Sequence, residues 1–392
     1  MAIGKSSLEG VDVNANWANA FGGRSTFITG HTGFKGSWLT LWLNRLGARV
    51  SGYSLPPPTN PSNFAASGVH GLLVRESIGD VRDHARLQAA LEACRPDLIF
   101  HLSAQTIVRQ CFLDPRETVE VNVMGTANVL EAVRRQRHPC AVIIVTSDKC
   151  YENSGEGRNH GETDSLGGPD PYSASKASAE IITGAYRSSF FPPEDLATHG
   201  VKVATVRAGN CIGGGDWAID RIVPDAVRAL SAYQPIVVRN PHFIRPWQHV
   251  LQPLSGYLLL ASRMLESDDP ALCSAWNFGP RTGEGKLVQD LVEEFLRCWG
   301  RGRWESVSLP NQPHEDTSLR LCIEKARLEL GWEPRWTFRE SVERTARWYK
   351  EFSARPDRST RDLCLEDIHD YERAAADESD SCQPALQLAK EG

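Results

Sequence analysis

An apolar stretch of the chain is followed directly by Ser147, Asp148 and Lys149, side chains that can donate and accept protons. Tyr172 and Lys176 come next, in a segment that predicts a helix. Residues four apart on a helix share one face, so we expect the Lys176 charge to lower the pKa of the Tyr172 phenol. Tyr172 would then be the base that takes a hydroxyl proton during hydride transfer, with Ser147 hydrogen-bonded to the same hydroxyl.

Asp148 and Lys149 add acid–base capacity that a simple dehydrogenase does not need. An exposed surface ion pair is the alternative interpretation of these two residues. They follow a strand that is expected to be buried, however, and ligands bind beyond the carboxyl ends of such strands. The combination therefore predicts oxidation coupled to a second proton transfer, such as an elimination.

Short apolar runs alternate with amphipathic segments through the first half of the chain and must position these side chains. We predict strands at 24–29, 49–53, 72–75, 97–102, 141–146 and 201–206. Helices are predicted at 34–46, 84–94, 115–137 and 171–190. Continuous apolar strands separated by helices are typical of a parallel sheet covered on both faces. The expected fold class is α/β, a Rossmann-like doubly wound parallel sheet with a smaller C-terminal substrate-binding lobe.

The alternation ends near residue 210, where three consecutive glycines and several prolines interrupt it. We predict an N-terminal extension at 1–16 and a nucleotide-binding Rossmann domain at 17–209, with later elements near 236–265. An interleaved substrate-binding lobe is expected at 210–350. The tail at 351–392 is charged and weakly periodic, and the sequence gives it no role.

A glycine-rich turn joins the first strand to the first helix and predicts a dinucleotide site. Glycines at 30, 33 and 36 allow a tight turn and a close backbone approach to pyrophosphate at the helix N-terminus. The cofactor-binding residues are predicted to be Gly30, Thr32, Gly33, Phe34, Lys35, Gly36, Asp80, Val81, Leu102, Ser103, Ala104, Tyr172 and Lys176. Asp80 would accept from the adenine amino group or cap the following helix. The second strand ends without an acidic residue or an adjacent arginine, and spacing alone favours NAD over NADP.

Composition excludes several other functions. A net charge of −6 gives no electrostatic basis for binding nucleic acid or a membrane surface. The ten cysteines form no CxxC pair and no Cys/His cluster at zinc spacing, so no metal site is predicted. No secretory signal and no membrane-spanning run is apparent, and the expected location is the cytoplasm.

Several longer motifs resemble the extended short-chain dehydrogenase/reductase family (NAD-dependent epimerase/dehydratase family), and within it the CDP-glucose 4,6-dehydratase branch. The motifs are Thr29–Leu39, Thr146–Asn153, Gly213–Ala218 with Asp220 and Arg221, Arg245–Val250, Trp276–Pro280 and Pro313–Glu315. The resemblance covers about residues 17–350. It implies NAD as cofactor and CDP-glucose as substrate, and a homodimer or homotetramer that associates through the helices at 115–137 and 171–190.

The resemblance also implies a redox-neutral lyase. Tyr172 takes the proton of the sugar 4-hydroxyl while C4 gives hydride to NAD, and the 4-ketone acidifies the C5 hydrogen. Asp148 protonates the hydroxyl that leaves C6. Lys149 stands where dTDP- and GDP-sugar dehydratases carry Glu, and would be the C5 base or its relay, which requires a depressed pKa. Hydride then returns to C6, giving a 4-keto-6-deoxy sugar nucleotide.

Guanidinium groups suit the oxygens of a diphosphate, and two arginines near the expected crevice are candidates for it. The predicted substrate-binding residues are Gln105, Arg109, Asn210, Arg221, Arg245, His249 and His314, with Glu315 as a further candidate. Each of His249, His314 and Glu315 could equally be a structural polar residue. Two other functions stay open: a sugar-nucleotide epimerase or decarboxylase, which would not need Asp148 and Lys149, and a catalytically inert NAD-binding regulator.

Overall fold

The computed structural model describes residues 17–153, 157–281, 283–307, 317–355 and 357–387, with side chains up to residue 374. The predicted extension at 1–16 and the candidates His314 and Glu315 lie outside these ranges. The strands are β1 (Ser25–Thr29), β2 (Arg49–Ser54), β3 (Arg75–Ile78), β4 (Leu98–His101), β5 (Cys140–Val145), β6 (Val201–Ala208), β7 (Cys211–Ile212), β8 (Ile236–Val238), β9 (Ile244–Arg245), β10 (Gln248–His249), β11 (Ala275–Phe278), β12 (Lys286–Leu287) and β13 (Trp304–Ser306).

The α-helices are α1 (Phe34–Arg45), α2 (Asn63–Ala66), α3 (His84–Cys94), α4 (Val108–Leu113), α5 (Pro115–Val119), α6 (Gly125–Gln136), α7 (Pro171–Phe190), α8 (Leu196–His199), α9 (Ile222–Ser231), α10 (Leu251–Glu266), α11 (Val288–Trp299), α12 (Phe338–Ala354) and α13 (Thr360–Gln387). A π-helical segment, Glu120–Met124, joins α5 to α6, and a second one covers Ala326–Leu330. Among the described residues, no helix is long and apolar enough to span a membrane.

Seven parallel strands form the central sheet in the order β11-β6-β5-β4-β1-β2-β3. All six residues of β5 are buried, and its side chains alternate between the two faces. Ile143 belongs to the core that packs against α1 and α10, whereas Val142 belongs to the core beneath α3 and α6. This is the predicted doubly wound α/β fold. The chain reverses its winding between β1 and β4, where such folds open a crevice for ligands.

The third strand differs from its predicted position of 72–75. It runs from Arg75 to Ile78 at the edge of the sheet, and none of its residues is fully buried. The apolar residues before it, at Val69–Leu72, form a 3₁₀ turn whose Val69 enters the core. The prediction followed the apolar residues that precede the strand. The strand itself carries polar side chains, because it lies half-exposed at the edge of the sheet.

Two later strands have pairings that the sequence patterns did not predict. The segment Ile236–Val238, predicted to belong with the nucleotide-binding elements, pairs instead with Trp304–Ser306 in a small separate sheet. The seventh strand of the central sheet is β11, which lies beside β6.

The C-terminal tail has a defined place in the fold. Glu372 on α13 accepts hydrogen bonds from Trp42 Nε1 at 2.9 Å and from Arg45 Nη2 at 3.0 Å, both on α1. The Tyr371 ring lies edge-on to Trp42 at 5.8 Å. The last described helix therefore packs on the helix that follows the glycine-rich turn.

Candidate active site

The turn between β1 and α1 is shaped for a close backbone approach. Gly30 adopts φ +78°, and a Cβ there would lie 2.8 Å from the Ser103 nitrogen. A Cβ at Gly36 would lie 2.1 Å from the Gly30 carbonyl oxygen. Gly33, which caps α1, provides no side-chain hydrogen bond to the first turn of the helix. The amides of that turn are thus available to an anion, and the cradle fits the pyrophosphate of a dinucleotide.

Asp80 and Val81 follow β3 and line the same pocket as this cradle. Both carboxylate oxygens of Asp80 accept from Arg82, its Oδ2 from Arg82 Nη2 at 2.6 Å. The hydrogen bond from Arg82 lowers the pKa of Asp80. Asp83, not Asp80, caps α3 by accepting from the Arg86 amide at 3.0 Å, so the capping alternative for Asp80 is wrong.

One cavity of about 970 Å³ extends from the cradle across the carboxyl ends of the strands. Almost all of the predicted residues within the described ranges line it: Gly30, Thr32, Gly33, Phe34, Lys35, Gly36, Asp80, Val81, Leu102, Ser103, Ala104, Gln105, Arg109, Ser147, Asp148, Lys149, Tyr172, Lys176, Asn210, Arg221 and Arg245. Thr32 holds the rim of the cavity by donating to the Leu55 carbonyl at 2.9 Å and pairing with Ser54 at 2.8 Å. The fold thus brings residues from six strand ends to one site.

Tyr172 lies in the wall of this cavity on the first turn of α7. Asp170 caps the helix and fixes that turn by accepting from the Tyr172 amide at 2.9 Å. Burial raises the pKa of Tyr172 to about 12, which the hydrogen bond with Ser147 and the charge of Lys35 partly offset.

Lys176 lies one helical turn after Tyr172, and its Nζ donates to the Val145 carbonyl at 3.3 Å. Burial and then the charge of Lys35 lower the pKa of Lys176 to about 8, against the opposing charge of Glu180. The charge of Lys35, a residue expected only to bind cofactor, lowers the pKa of Tyr172.

Asp148 begins a single 3₁₀ turn at the end of β5 and is buried in the cavity wall. Its Oδ1 accepts from the Ser147 hydroxyl at 2.9 Å, and its Oδ2 has no hydrogen-bond partner among the described groups. Burial raises the pKa of Asp148, and the Ser147 hydrogen bond and the charges of Lys149 and Arg245 oppose the rise only in part. The carboxyl group is thus suited to hold a proton and donate it.

Lys149 is half-buried on the same turn, and its amide donates to the Ser147 hydroxyl oxygen at 3.2 Å. Its side chain reaches the cavity beside Asp148. The acid and the amine are thus neighbours on one turn, in the wall of the cavity that Tyr172 also lines.

The other end of the cavity is rich in arginines held by aspartates. Arg221 pairs with Asp216 at 2.9 Å and donates to Thr106 Oγ1 at 3.0 Å. Arg109 and Arg239 both bind Asp220, at 3.3 Å and 2.9 Å. Sequence analysis missed Arg239, Asp216 and Asp220 as lining residues, although Arg239 directly follows an apolar strand, as the other site residues do.

Arg245 is buried, donates to the Ile244 carbonyl at 3.0 Å and lies over the Phe243 ring at 5.3 Å. Its neighbour in the motif, His249, is not in the cavity wall. The His249 ring packs at 5.9 Å from Trp38 and at 4.9 Å from Trp336, and burial lowers its pKa to about 3. The prediction that His249 binds substrate is therefore wrong, because an aromatic cluster encloses the ring.

Comparisons with known proteins agree with this geometry. Residues 27–345 match the family model described as GDP-mannose 4,6 dehydratase. The chain is 45% identical over 332 residues to the CDP-glucose 4,6-dehydratase of Salmonella typhimurium strain LT2, covering 85% of this chain and 92% of that one. It is 29% identical over 258 residues to a dTDP-glucose 4,6-dehydratase of Streptomyces niveus, covering 65% of this chain and 70% of the other.

Solved structures share the fold. A dTDP-glucose 4,6-dehydratase from Streptomyces venezuelae, with NAD and TYD bound, superposes with a TM-score of 0.70 at 23% identity, covering 85% of this chain and 99% of that one. A UDP-glucose 4-epimerase from Thermotoga maritima, with UDP-glucose, gives a TM-score of 0.70 at 19% identity and covers 84% and 99%. These likenesses establish the Rossmann-like architecture.

Proposed function

Since the chain belongs to the GDP-mannose 4,6 dehydratase family, we propose that it is an NAD-dependent CDP-glucose 4,6-dehydratase, a hydro-lyase. The single observation that carries the proposal is Asp148, a buried carboxyl group with a raised pKa whose Oδ2 has no partner among the described groups, beside Lys149 in the cavity that Tyr172 also lines. An oxidoreductase or an epimerase needs the tyrosine but has no use for a second proton donor. An elimination of water needs both.

NAD would supply the hydride acceptor for C4 of the sugar and the hydride donor for C6, and the proton taken from C5 would return to C5 as the hydride reaches C6. The glycine-rich turn at residues 30–36 would hold its pyrophosphate, since only glycine fits where Ser103 and Gly30 approach the helix. Leu102, Ser103 and Ala104 form the adjoining wall, and Lys176 is positioned by its bond to the Val145 carbonyl.

Tyr172 Oη takes the proton of the sugar 4-hydroxyl. Its pKa of about 12 in the free cavity keeps the phenol protonated near neutral pH, and the nearby charges of Lys35 and Arg221 favour the phenolate that accepts the proton. The Ser147 hydroxyl bonds to the phenol and to Asp148, which fixes the orientation of both groups.

Asp148 gives its proton to the oxygen that leaves C6. Once C4 is a ketone, the C5 hydrogen is acidic, and we assign its removal to Lys149 or to a relay through it. Lys149 can act as a base only through the lone pair of its neutral amine. The proton given by Asp148 and the proton taken from C5 leave the site with no net change in charge.

The arginine-rich end of the cavity would hold the diphosphate, through Arg109, Arg221, Arg239 and Arg245. Asp216 and Asp220 hold three of these guanidinium groups before the substrate enters. Gln105 and Asn210, which also line the cavity, would contact the sugar. Cytidine as the base comes from the relative of 45% identity.

Assembly into a homodimer or homotetramer is part of the proposal. Helix α7 and the π segment before α6 expose large apolar side chains: Met124 at 52%, Ile181 at 57% and Phe190 at 47%. Exposed apolar side chains on these elements support a protein partner there. Sedimentation of the purified protein tests the assembly, and a monomer at micromolar concentration would contradict it.

The cytoplasm is the proposed location. Buried free thiols such as Cys150 and Cys364 fit that reducing compartment.

The activity is tested by incubating the purified protein with NAD and CDP-glucose. The expected product has lost one water and shows the absorbance of a 4-keto sugar in alkali. dTDP-, GDP- and UDP-glucose serve as matched substrates, and we expect CDP-glucose to give the highest kcat/KM. Absence of product from all four would refute the dehydratase.

The same assay with Tyr172→Phe tests the base. This substitution removes only the phenol oxygen, so oxidation is expected to stop while NAD binding persists. Turnover at the rate of the unaltered protein would exclude Tyr172 as the base.

A further inference from the structure

Glu180 is a buried carboxylate one helical turn after Lys176 on α7. It accepts hydrogen bonds from Thr146, which follows β5, from Thr205 Oγ1 on β6 at 2.7 Å, and from Arg207 Nη2 at 2.8 Å. The side chains of Glu180 and Arg207 are 3% and 4% exposed. One carboxylate therefore ties the catalytic helix to two strands of the sheet.

Arg207 is itself held from the opposite side. Its Nη1 donates to the Tyr151 hydroxyl at 2.7 Å and to the Glu162 carbonyl at 3.1 Å, and its guanidinium lies over the Tyr151 ring at 4.9 Å. The Tyr151 hydroxyl in turn donates to Asn277 Oδ1 on β11 at 2.7 Å. The ion pair is thus fixed at both ends, behind the cavity and outside its lining.

We propose that Glu180, held in place by Arg207, is a positioning residue for proton transfer: its charge keeps Lys176 cationic, and its bond to Thr146 fixes the end of β5. That strand end carries the proposed acid and the serine beside it. The inference rests on the proposed function, whose mechanism does not use Glu180.

The groups that act on Lys176 come from each element packed around it. They are Lys35 of α1, His101 of β4, Cys111 of α4, the Val145 carbonyl of β5, Cys150 after it and Glu180 of α7. Burial lowers the pKa of His101 to about 3, which leaves the imidazole neutral. Lys35 repels the Lys176 ammonium, and Glu180 is the carboxylate in this set that stabilises it.

The direction of the effect follows from these charges. Lys176 has a pKa of about 8 because burial and Lys35 outweigh Glu180. Removing the Glu180 charge lowers that pKa further, so Lys176 loses its proton at a lower pH. The catalytic helix would then lack its positive charge under conditions where the unaltered protein keeps it.

Glu180→Gln keeps the shape of the side chain and tests the charge. The first readout is the pH dependence of initial NADH formation on mixing with CDP-glucose, which reports oxidation before water is lost. We expect its alkaline decline to move to lower pH by about one unit. The second readout needs no turnover: the pH at which NAD affinity declines, followed by protein fluorescence, is expected to move in the same direction.

Two control variants separate positioning from folding. Thr205→Val removes one hydrogen bond from Glu180 and leaves both charges, so both pH profiles are expected to stay in place while Tm falls. Glu180→Gln combined with Arg207→Met removes the buried guanidinium that would otherwise lack a carboxylate to neutralise its charge. This double variant is expected to recover Tm and still show a downward shift, smaller than in the single variant.

Lys176→Met assigns the titrating group and should abolish the pH dependence of NAD affinity. If Lys176→Met keeps that dependence, or if Glu180→Gln lowers Tm without moving either profile, Glu180 is purely structural and the inference is wrong. Failure of every nucleotide sugar to react would refute the proposed function instead, because the NAD-affinity readout would still decide on Glu180.

Discussion

Two carboxyl groups near the end of β5, those of Asp148 and Glu180, are equally buried but differ in their hydrogen bonds and in the direction of their pKa shifts. Asp148 faces the cavity and Glu180 faces the interior, and each residue is 5% exposed. Asp148 receives one hydrogen bond, whereas Glu180 receives bonds from Thr146, Thr205 and Arg207. Burial raises the pKa of Asp148; it acts in the same direction on Glu180, but the Arg207 hydrogen bond and charge outweigh it and lower that pKa.

The comparison teaches that the donors around a buried carboxyl group, and not its depth, decide whether it holds a proton. A general acid must be protonated at working pH, and a carboxylate that anchors a cation must be ionised. The protein places a carboxyl group with a raised pKa, Asp148, and one with a lowered pKa, Glu180, beside the end of β5. Where two neighbouring groups in an active site have pKa values shifted in opposite directions, the group with the raised pKa is assigned as the acid.

The largest expected effect comes from Asp148→Asn, which removes the acid and keeps its shape. Water loss is expected to slow by about 1,000-fold, within the range for loss of a general acid. Oxidation should still begin, so NADH accumulates and is measured by its absorbance after mixing with CDP-glucose. Full turnover in this variant would show that Asp148 is not the acid at C6.

The next effect distinguishes the two carboxylates by stability. Glu180→Gln breaks a buried ion pair and is expected to lower the free energy of unfolding by about 3–5 kcal/mol. Asp148→Asn should not lower it, since the neutral amide avoids the cost of a buried charge and Asp148 Oδ2 has no hydrogen-bond partner among the described residues. Denaturant titration measures both, and equal losses would contradict the comparison.

The pH dependence of that stability has opposite signs at the two positions. The lowered pKa of Glu180 stabilises the fold above the unfolded value of 4.5, and this contribution is lost as the pH falls through 4.5 towards the folded pKa. The raised pKa of Asp148 favours the fold at low pH and costs stability as the pH rises above 3.8. The difference between the unaltered protein and Glu180→Gln should therefore shrink in acid.

A smaller effect is expected from Ser147→Ala. The hydrogen bond from Ser147 opposes the rise in the Asp148 pKa, so its removal raises that pKa further. Water loss requires protonated Asp148 and declines as the pH passes its pKa. In the variant this decline should move to higher pH by up to about one unit. The rate of 4-keto product formation against pH measures it, and a shift to lower pH would contradict the assignment.

The smallest effect is expected from Thr205→Val, which removes one of several donors to Glu180. The free energy of unfolding should fall by about 1 kcal/mol. Thermal unfolding measures this loss, with Glu180→Gln as the reference. A loss as large as that of Glu180→Gln would mean that the hydroxyl, and not the guanidinium, holds the carboxylate.

Sequence patterns predicted the residues that line the cavity better than the buried residues behind them. Ser147, Asp148 and Lys149 could be placed because parallel strands bring their carboxyl ends to one edge. Glu180 continues the four-residue spacing of Tyr172 and Lys176, and that signal was available but not used. Arg207 lies within a strand, and only the folded chain shows that its side chain reaches Glu180.

Packing accounts for the predictions that were wrong. His249 shares a motif with Arg245, yet the ring turns towards Trp38 and Trp336, residues distant in sequence. The third strand was misplaced because it is a polar edge strand. The prediction for Lys35 was incomplete because its charge acts on Tyr172, a residue distant in sequence that the fold brings close to it.

The packing of Glu372 against Arg45 has a consequence for biosynthesis. The two residues are 327 positions apart, so a ribosome adding 5–20 residues per second reaches the second roughly 15–65 s after the first. During that interval α1 lacks the partner that covers Trp42 and Arg45. The helix that begins the nucleotide cradle thus acquires this neighbour only after a further 327 residues have been added to the chain.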